Sequence, residues 1–333
     1  IEQPFRNKKN RFKSILKILG SCIFLLIILN FLIITNNGYK ERLPQILQNN
    51  TNEKLFRLLK KNKSGICQPN TSGCKFNTSS KNKVYIIGDS HMEVLAFDLN
   101  GRLVKRGYQF INPKYYCVYL PGFNRLHFKT KKKVEDCDSQ YHKKLKQNLL
   151  QDTNSIIIIG GRFPHYLTGA YFDNQEGGIE TGQDNPYVSD SKYKSIKDSI
   201  RNEVSELSKL HKIILIYPVP EVGWHVNKKI ISQWVKNKFS KNFDLKYITT
   251  SYKVYNERTK SSFELLDSIK GDNVYRVYPH KLFCDNVIKT RCVTHNDEMI
   301  YYRDDDHLSL EGAKMVNDLI IKEIIKIEKK ISK

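Results

Sequence analysis

Seven cysteines occur in this 333-residue chain, yet no two form a CxxC pair, and the nine histidines make no ligand-spaced set. A zinc site of ordinary spacing is therefore not expected, and neither is any other metal. No recognised nucleic-acid-binding motif accompanies the basic residues. No internal repeat is evident. Acidic residues are in short supply: 34 Asp and Glu stand against 56 Lys and Arg, a net charge of +22. Lysine, asparagine and isoleucine are all abundant, so much of that charge reflects composition. What remains suits anionic lipid or acidic polysaccharide better than nucleic acid. Apolar residues make up 40% of the chain, enough to build a core and to exclude wholesale disorder. The length allows one large domain or two ordinary ones.

One hydrophobic run stands out, "ILKILGSCIFLLIILNFLIIT", Ile15 to Thr35, in which only Lys17 is charged. About twenty apolar residues span the ~30 Å hydrocarbon core of a bilayer, so the run predicts one transmembrane helix. It lacks a small-residue cleavage site, which argues against a signal peptide. Arg6, Lys8, Lys9, Arg11, Lys13 and Lys17 lie at its start, and only Lys40 and Arg42 follow soon after it. That bias predicts a cytoplasmic N-terminus and an exported remainder, residues 36–333. Cys22 falls within the membrane, leaving Cys67, Cys74, Cys117, Cys137, Cys284 and Cys292 outside. An even number suits an oxidising compartment. Connectivity stays open; pairing sequence neighbours, Cys67–Cys74, Cys117–Cys137 and Cys284–Cys292, is one choice.

Residues 36–82 are polar and weakly periodic, and read as an exported linker. Within it, 45–63 has the spacing of a short amphipathic helix with Leu47, Leu55, Leu58 and Leu59 on one side. Sequons at Asn50, Asn62, Asn70 and Asn77 arise readily by chance in so asparagine-rich a chain. From Lys83 onward, short apolar strands (83–88, 108–111, 155–160, 212–217, 274–278) alternate with helical stretches (91–106, 140–150, 191–210, 229–238, 310–328). Continuous Ile/Val runs indicate strands covered on both faces. The alternation predicts an α/β fold, a three-layer α/β/α sandwich around a parallel sheet, flavodoxin-like in type, over residues 83–330.

Ligands in such sheets bind beyond the carboxyl ends of the strands. "KVYIIGDSHMEV" (83–94) places Asp89-Ser90-His91 at one of these ends, just before a helix with Met92, Leu95, Leu99 and Leu103 in register. Ser90 is thus either an exposed nucleophile backed by a helix N-terminus or a simple N-cap. "YYRDDDHLSLEGA" (301–313) sets Asp304 three residues before His307, with Ser309 placed to cap the last helix. An acid that fixes one imidazole nitrogen leaves the other free to act as a base on a hydroxyl. The plainer alternative is an acidic surface loop.

Gly88-Asp89-Ser90 and Asp304-x-x-His307 together resemble the SGNH (GDSL-like) hydrolase superfamily. The longer forms "IIGDSH" and "YYRDDDHLSLEGA" are similar to exported SGNH domains fused to acyltransferase-3 membrane proteins. "IEQPFR" (1–6) is similar to the segment that closes the acyltransferase-3 membrane domain. The resemblance implies that the chain is the C-terminal part of such a fusion. Residues 1–14 would end the membrane domain, 15–35 would be a further helix, 36–82 a linker and 83–330 the SGNH domain. It also implies a bacterial inner-membrane protein crossing once, with the SGNH domain periplasmic. The implied activity is O-acylation, usually O-acetylation, of a cell-surface glycan such as lipopolysaccharide O-antigen. Acetyl-CoA would be the ultimate donor, reached through the membrane module, and this portion would bind no cofactor. An esterase removing acetyl groups, or a glycan-binding domain without activity, are the alternatives. By position, Ser90 is the implied nucleophile, His307 the base and acid, and Asp304 its orienting partner.

The chain departs from the wider superfamily after strand 155–160, where Gly160-Gly161-Arg162 replaces a Gly-x-Asn-Asp block whose Asn donates to the oxyanion. Arg162 is a candidate substitute, as donor or sugar ligand. The second-block glycine could be Gly107 or Gly122, and His91 could line the pocket. Asp305 and Asp306 have the wrong offset for the relay and are expected to be solvated. "PHY" (164–166), Trp224 and His225 are candidates for a sugar platform.

Overall fold

The structure is a computed structural model that describes residues 12–50, 57, 59–60, 65–68, 73–182, 186–190 and 192–331. The "IEQPFR" segment, Leu55, Leu58, Asn62 and Asn70 lie outside the described residues. The first described element is a helix, Phe12–Thr35, whose Ser14–Thr35 portion is unburied and long and apolar enough to cross a membrane. A short helix, Gln45–Asn49, covers only the start of the amphipathic stretch.

Among the described residues eleven strands follow in chain order: β1 (Gly65–Gln68), β2 (Gly73–Phe76), β3 (Lys83–Ile87), β4 (Gln109–Asn112), β5 (Phe123–Arg125) and β6 (Ile156–Ile159). Then come β7 (Tyr187–Ser189), β8 (Lys212–Ile216), β9 (Thr249–Ser251), β10 (Val274–Val277) and β11 (Arg291–Val293). Seven form the main sheet in the order β1-β2-β4-β3-β6-β8-β10, parallel from β4 to β10 and antiparallel at the β1-β2 edge. The five strands expected from the apolar runs are the five parallel ones.

Strand β6, four isoleucines in succession, shows why those runs do not alternate. Ile156 and Ile158 point into one apolar layer, Ile157 and Ile159 into the other. A period-two backbone sends neighbours to opposite faces, and both faces are covered by helices. Helices Ser90–Lys105, Val226–Lys236 and Leu310–Ile331 cover the first face. Helices Ser139–Gln151, Ile196–Leu207 and Tyr252–Ser268 contribute to the second. The chain leaves β3 for β4 on one side and then returns to β6 on the other. The crevice of this sheet therefore opens at the carboxyl end of β3, where Ser90 sits.

Two features differ from the sequence reading. Gly65–Gln68 and Gly73–Phe76, within the stretch read as linker, form β1 and β2 of the main sheet. Cys67 and Cys74 face each other in the register and are joined, and Phe76 is fully buried. The sequence does not announce this pair because Cys74 and Phe76 are the only large side chains it buries. Helix Tyr252–Ser268 was not expected at all. Its buried positions include Thr259 and Ser262 beside Val254, Tyr255, Leu265 and Leu266, so the apolar stripe is interrupted exactly where the core begins to depend on it. The neighbour pairing of the cysteines is observed: Cys67–Cys74, Cys117–Cys137 and Cys284–Cys292. Cys22 is free and exposed on the first helix.

Helices Ser90–Lys105 and Leu310–Ile331 run side by side in the same direction. Asn317, fully buried, donates its amide to the Leu95 carbonyl and to Asp98, both at 3.0 Å. Farther along, Arg106 meets Glu328 at 2.5 Å. An amide buried in this way is costly to remove, because its partners lose a donor they cannot replace with water. Asn317→Ala is expected to lower stability by about 1–3 kcal/mol, read as a lower urea midpoint with an unchanged slope.

Candidate active site

Strand β3 ends against β6 too closely for a side chain. A Cβ on Gly88 would lie 2.4 Å from the Gly160 carbonyl oxygen and 2.3 Å from Met92 Cγ. Asp89 then caps the helix, its Oδ1 accepting the His91 N–H at 2.9 Å. Its Oδ2 accepts the Arg162 N–H at 2.7 Å and the Tyr166 hydroxyl at 2.9 Å. Gly161, at φ +154°, passes close to that oxygen, which a Cβ would approach to 3.0 Å. Asp89 thus performs the capping that Ser90 might have done. The Ser90 hydroxyl is left half-buried at the mouth of the strand, on the first turn of a 16-residue helix.

The partner arrives from the loop before the last helix. Asp304 Oδ1 accepts the backbone N–H of Asp306 at 3.2 Å and of His307 at 2.7 Å, folding the loop back on itself. Ser309 donates to the Ile300 carbonyl at 2.6 Å and accepts the Gly312 N–H at 3.2 Å, the capping role expected of it. Between these anchors His307 Nε2 lies 2.7 Å from Ser90 Oγ, and Nδ1 lies 3.1 Å from both Asp304 carboxylate oxygens. Residues 217 positions apart therefore meet in a nucleophile–base–acid line.

Asp306 is not solvated. It is 5% exposed, and its Oδ1 stands 2.6 Å from His307 Nδ1 while its Oδ2 stands 3.2 Å from His91 Nε2. The turn formed by Asp304 sends residues 304 and 306 to the same side, so an offset argument along a straight chain misplaces the second acid. The Asp305 carboxylate lies within 4.8 Å of those of Asp304 and Asp306, and its backbone carbonyl accepts the N–H groups of Val222 and Gly223, both at 2.9 Å. His91, Asp306 and His307 converge within 4.8 Å, a spacing that could hold a cation. The Arg162 guanidinium, 3.2 Å from Asp306, already supplies positive charge there.

Arg162 is turned toward carboxylates, with three of its N–H groups hydrogen-bonded to Glu221 and Glu180. Nε donates to Glu221 at 2.6 Å, Nη1 meets Glu180 at 2.8 Å and Asp306 at 3.2 Å, and Nη2 meets Glu180 and Glu221. Arg258 binds Glu221 from the other side at 2.8 Å. Burial would raise the Glu221 carboxyl, but these two guanidinium groups hold it below its usual range. Arg162 thus braces the site, with its guanidinium 3.2 Å from Asp306. The Ser90 N–H, at the positive end of its helix, stays the candidate oxyanion donor.

Gly107 follows the far end of the Ser90 helix, a length of about 24 Å away. Gly122, at φ +73°, turns the chain before β5, where its carbonyl accepts the Asp190 N–H at 3.0 Å. The chain that borders the nucleophile turn lies a few residues earlier: Cys117 pairs with Gly88, and Val118 packs toward Gly161. Of the sugar-platform candidates, Tyr166 serves Asp89, Pro164 is buried, and Trp224 lies under the Lys229 ammonium at 3.7 Å.

Burial lowers the His307 imidazole, but the carboxylates of Asp304 and Asp306 outweigh it and raise the pKa to about 10. Asp304 and Asp306 are themselves drawn down against burial, chiefly by His307. Glu93, one turn beyond Ser90, escaped the sequence reading. It is 3% exposed, one of its oxygens has no hydrogen-bond partner, and burial raises its pKa to about 7 despite Tyr116, Arg303 and His307 nearby. A glutamate three residues after the nucleophile was the signal available.

The α/β/α fold, with a serine at a strand end and a histidine from the last loop, defines the class as SGNH-like. The family model described as "SGNH domain (fused to AT3 domains)" matches residues 60–322, and the chain belongs to that family. The match begins ahead of β1, in keeping with the hairpin's place in the sheet. Among solved structures, the chain is similar to a Salmonella ser. Paratyphi A lipopolysaccharide acetyltransferase periplasmic domain, at 16% identity and a TM-score of 0.48. That likeness covers 74% of this chain and 84% of the other. No curated protein sequence matches it.

Glu93 gives a stability signature. Below its unfolded pKa of about 4.3 the carboxyl is protonated whether the chain is folded or not. Between there and about 7 the folded state keeps a proton that the unfolded state has lost, so stability falls as pH rises through that window. Glu93→Gln should therefore raise stability at pH 8 by roughly 1–3 kcal/mol and leave it nearly unchanged at pH 4, measured by chemical unfolding at both pH values.

Proposed function

We propose that this chain is the exported acyl-transfer part of a membrane-anchored system that O-acetylates a cell-surface glycan, such as lipopolysaccharide O-antigen. The observation that carries the reading is the 2.7 Å approach of His307 Nε2 to Ser90 Oγ, with a carboxylate behind the ring. Membership of a family described as fused to AT3 domains supports an acyltransferase-3 membrane module as the partner. That module, in the same or another polypeptide, would carry acetyl outward from acetyl-CoA. Helix Ser14–Thr35 would cross the inner membrane, with the basic residues before it in the cytoplasm and the SGNH domain in the periplasm.

In the first step Ser90 Oγ attacks the acyl carbonyl while neutral His307 takes its proton. The carbonyl π electrons move to oxygen, held by the Ser90 N–H, then return as the donor group leaves with the proton from His307. In the second step a sugar hydroxyl loses its proton to His307 and attacks the acyl-serine. Collapse releases the sugar ester and returns the proton to Ser90. Water in place of the sugar would make the same site an esterase.

Ser90→Ala in the intact gene should abolish glycan O-acetylation, scored by NMR of the purified polysaccharide; undiminished acetylation would refute the nucleophile. Removing the gene separates transfer from hydrolysis, since a transferase loses acetyl groups from the glycan and an esterase gains them. On the purified full chain, p-nitrophenyl acetate cleavage should fall about 10³-fold or more in Ser90→Ala. The wild-type rate should climb with pH beyond neutrality, because the neutral imidazole that does the work grows toward a pKa near 10.

A further inference from the structure

Asp306 touches the reacting histidine and takes no part in the line of groups above. We propose that Asp306 is a second positioning residue for His307, a buried carboxylate that holds the imidazole on Ser90 and couples it to His91. The proposal rests on His307 being the base. Its geometry divides the two acids by task. Asp304 satisfies the hydrogen-bonding geometry to Nδ1 and also accepts two backbone N–H groups, so it builds the loop as well as orienting the ring. Asp306 comes nearer, 2.6 Å, as an ion pair, and its side-chain contacts end on other side chains. These are His307, His91 at 3.2 Å and the Arg162 guanidinium at 3.2 Å.

The chain Arg162–Asp306–His91 accounts for how a second charge can be buried here. An unpaired carboxylate at 5% exposure would take up a proton instead. Arg162 is fixed to Asp89 through its backbone and to Glu180 and Glu221 through its side chain, so the charge opposite Asp306 cannot wander. His91 follows the nucleophile directly, with its ring centroid 5.0 Å from that of His307. Any rotation of His307 away from Ser90 must then break contacts to two acids. The groups facing the imidazole are Ser90, His91 and Glu93 from the nucleophile helix, and Asp304 and Asp306 from its own loop. Arg303 reaches it through Asp304, and Arg162 through Asp306.

The test is the titration of His307 in the full chain, followed by NMR of ring-labelled histidine in a Ser90→Ala background, where turnover plays no part. Asp306→Asn should move that titration to lower pH by about one unit or more, a tenfold change in the proton equilibrium. Asp306→Glu, which restores the charge, should bring it at least halfway back. In the Ser90-intact chain, Asp306→Asn should lower the kcat plateau reached above the inflection, with KM little changed, and carry that inflection to lower pH with the titration. A His307 titration within about 0.3 unit of the parent in Asp306→Asn would overturn the proposal, as would an Asp306→Glu titration no nearer the parent than that of Asp306→Asn. If Asp306→Asn does not fold, Asp306→Ser leaves room for water and is held to the same shift. Loss of acetyl transfer bears on the function itself, whereas the titration stands or falls without it.

Discussion

Two helices that start at the same edge of one sheet make this site. Ser90 opens the first and His307 stands just ahead of the second, and the helices then run together with Asn317 and the Arg106–Glu328 pair keeping their register. A slip of one turn, about 5.4 Å, would separate a hydroxyl and an imidazole that now lie 2.7 Å apart. The Ser90–His307 distance is thus a property of helix packing far from those two side chains. Core residues such as Leu95, Leu99, Val316 and Ile320, all fully buried, belong to that distance as much as the loop does.

Electrostatics supply the second constraint. The bottom of the site holds Asp89, Glu180, Glu221, Asp304 and Asp306 among Arg162, Arg258, Arg303 and two histidines. Neither sign is in large excess, although the chain as a whole is strongly basic. Burial makes each unpaired charge expensive, and pairing makes the group as a whole tolerable. Arg162 stands where the wider superfamily offers an asparagine, and it acts on the site through carboxylates. Its guanidinium is surrounded by Glu180, Glu221 and Asp306, so it serves as scaffolding.

Much of this was legible in the sequence because the decisive patterns are local. Unbroken isoleucine runs can only be covered on both faces, and Gly88-Asp89-Ser90 at the end of one of them fixes a strand–turn–helix corner. The pair Asp304 and His307 announces itself by spacing. What escaped is non-local or compositionally plain. Asp306 joins the site because Asp304 folds its own loop, an event that residue spacing on a straight chain does not record. Helix Tyr252–Ser268 turns Thr259 and Ser262 inward, so its stripe looks broken. The β1–β2 hairpin hides in a polar stretch and is held by a covalent link and by the sheet edge it joins.

The bond between Cys117 and Cys137 has a bearing on when the site is complete. Cys117 is the residue that pairs with Gly88, so the wall beside the nucleophile hangs from a cross-link twenty residues long. Without the cross-link that wall would be held by the buried side chains of Val118, Tyr119 and Leu120 and by its bridge to Gly88. Where thiols stay reduced, the strip beside the serine would lack its covalent anchor to the loop that carries Cys137.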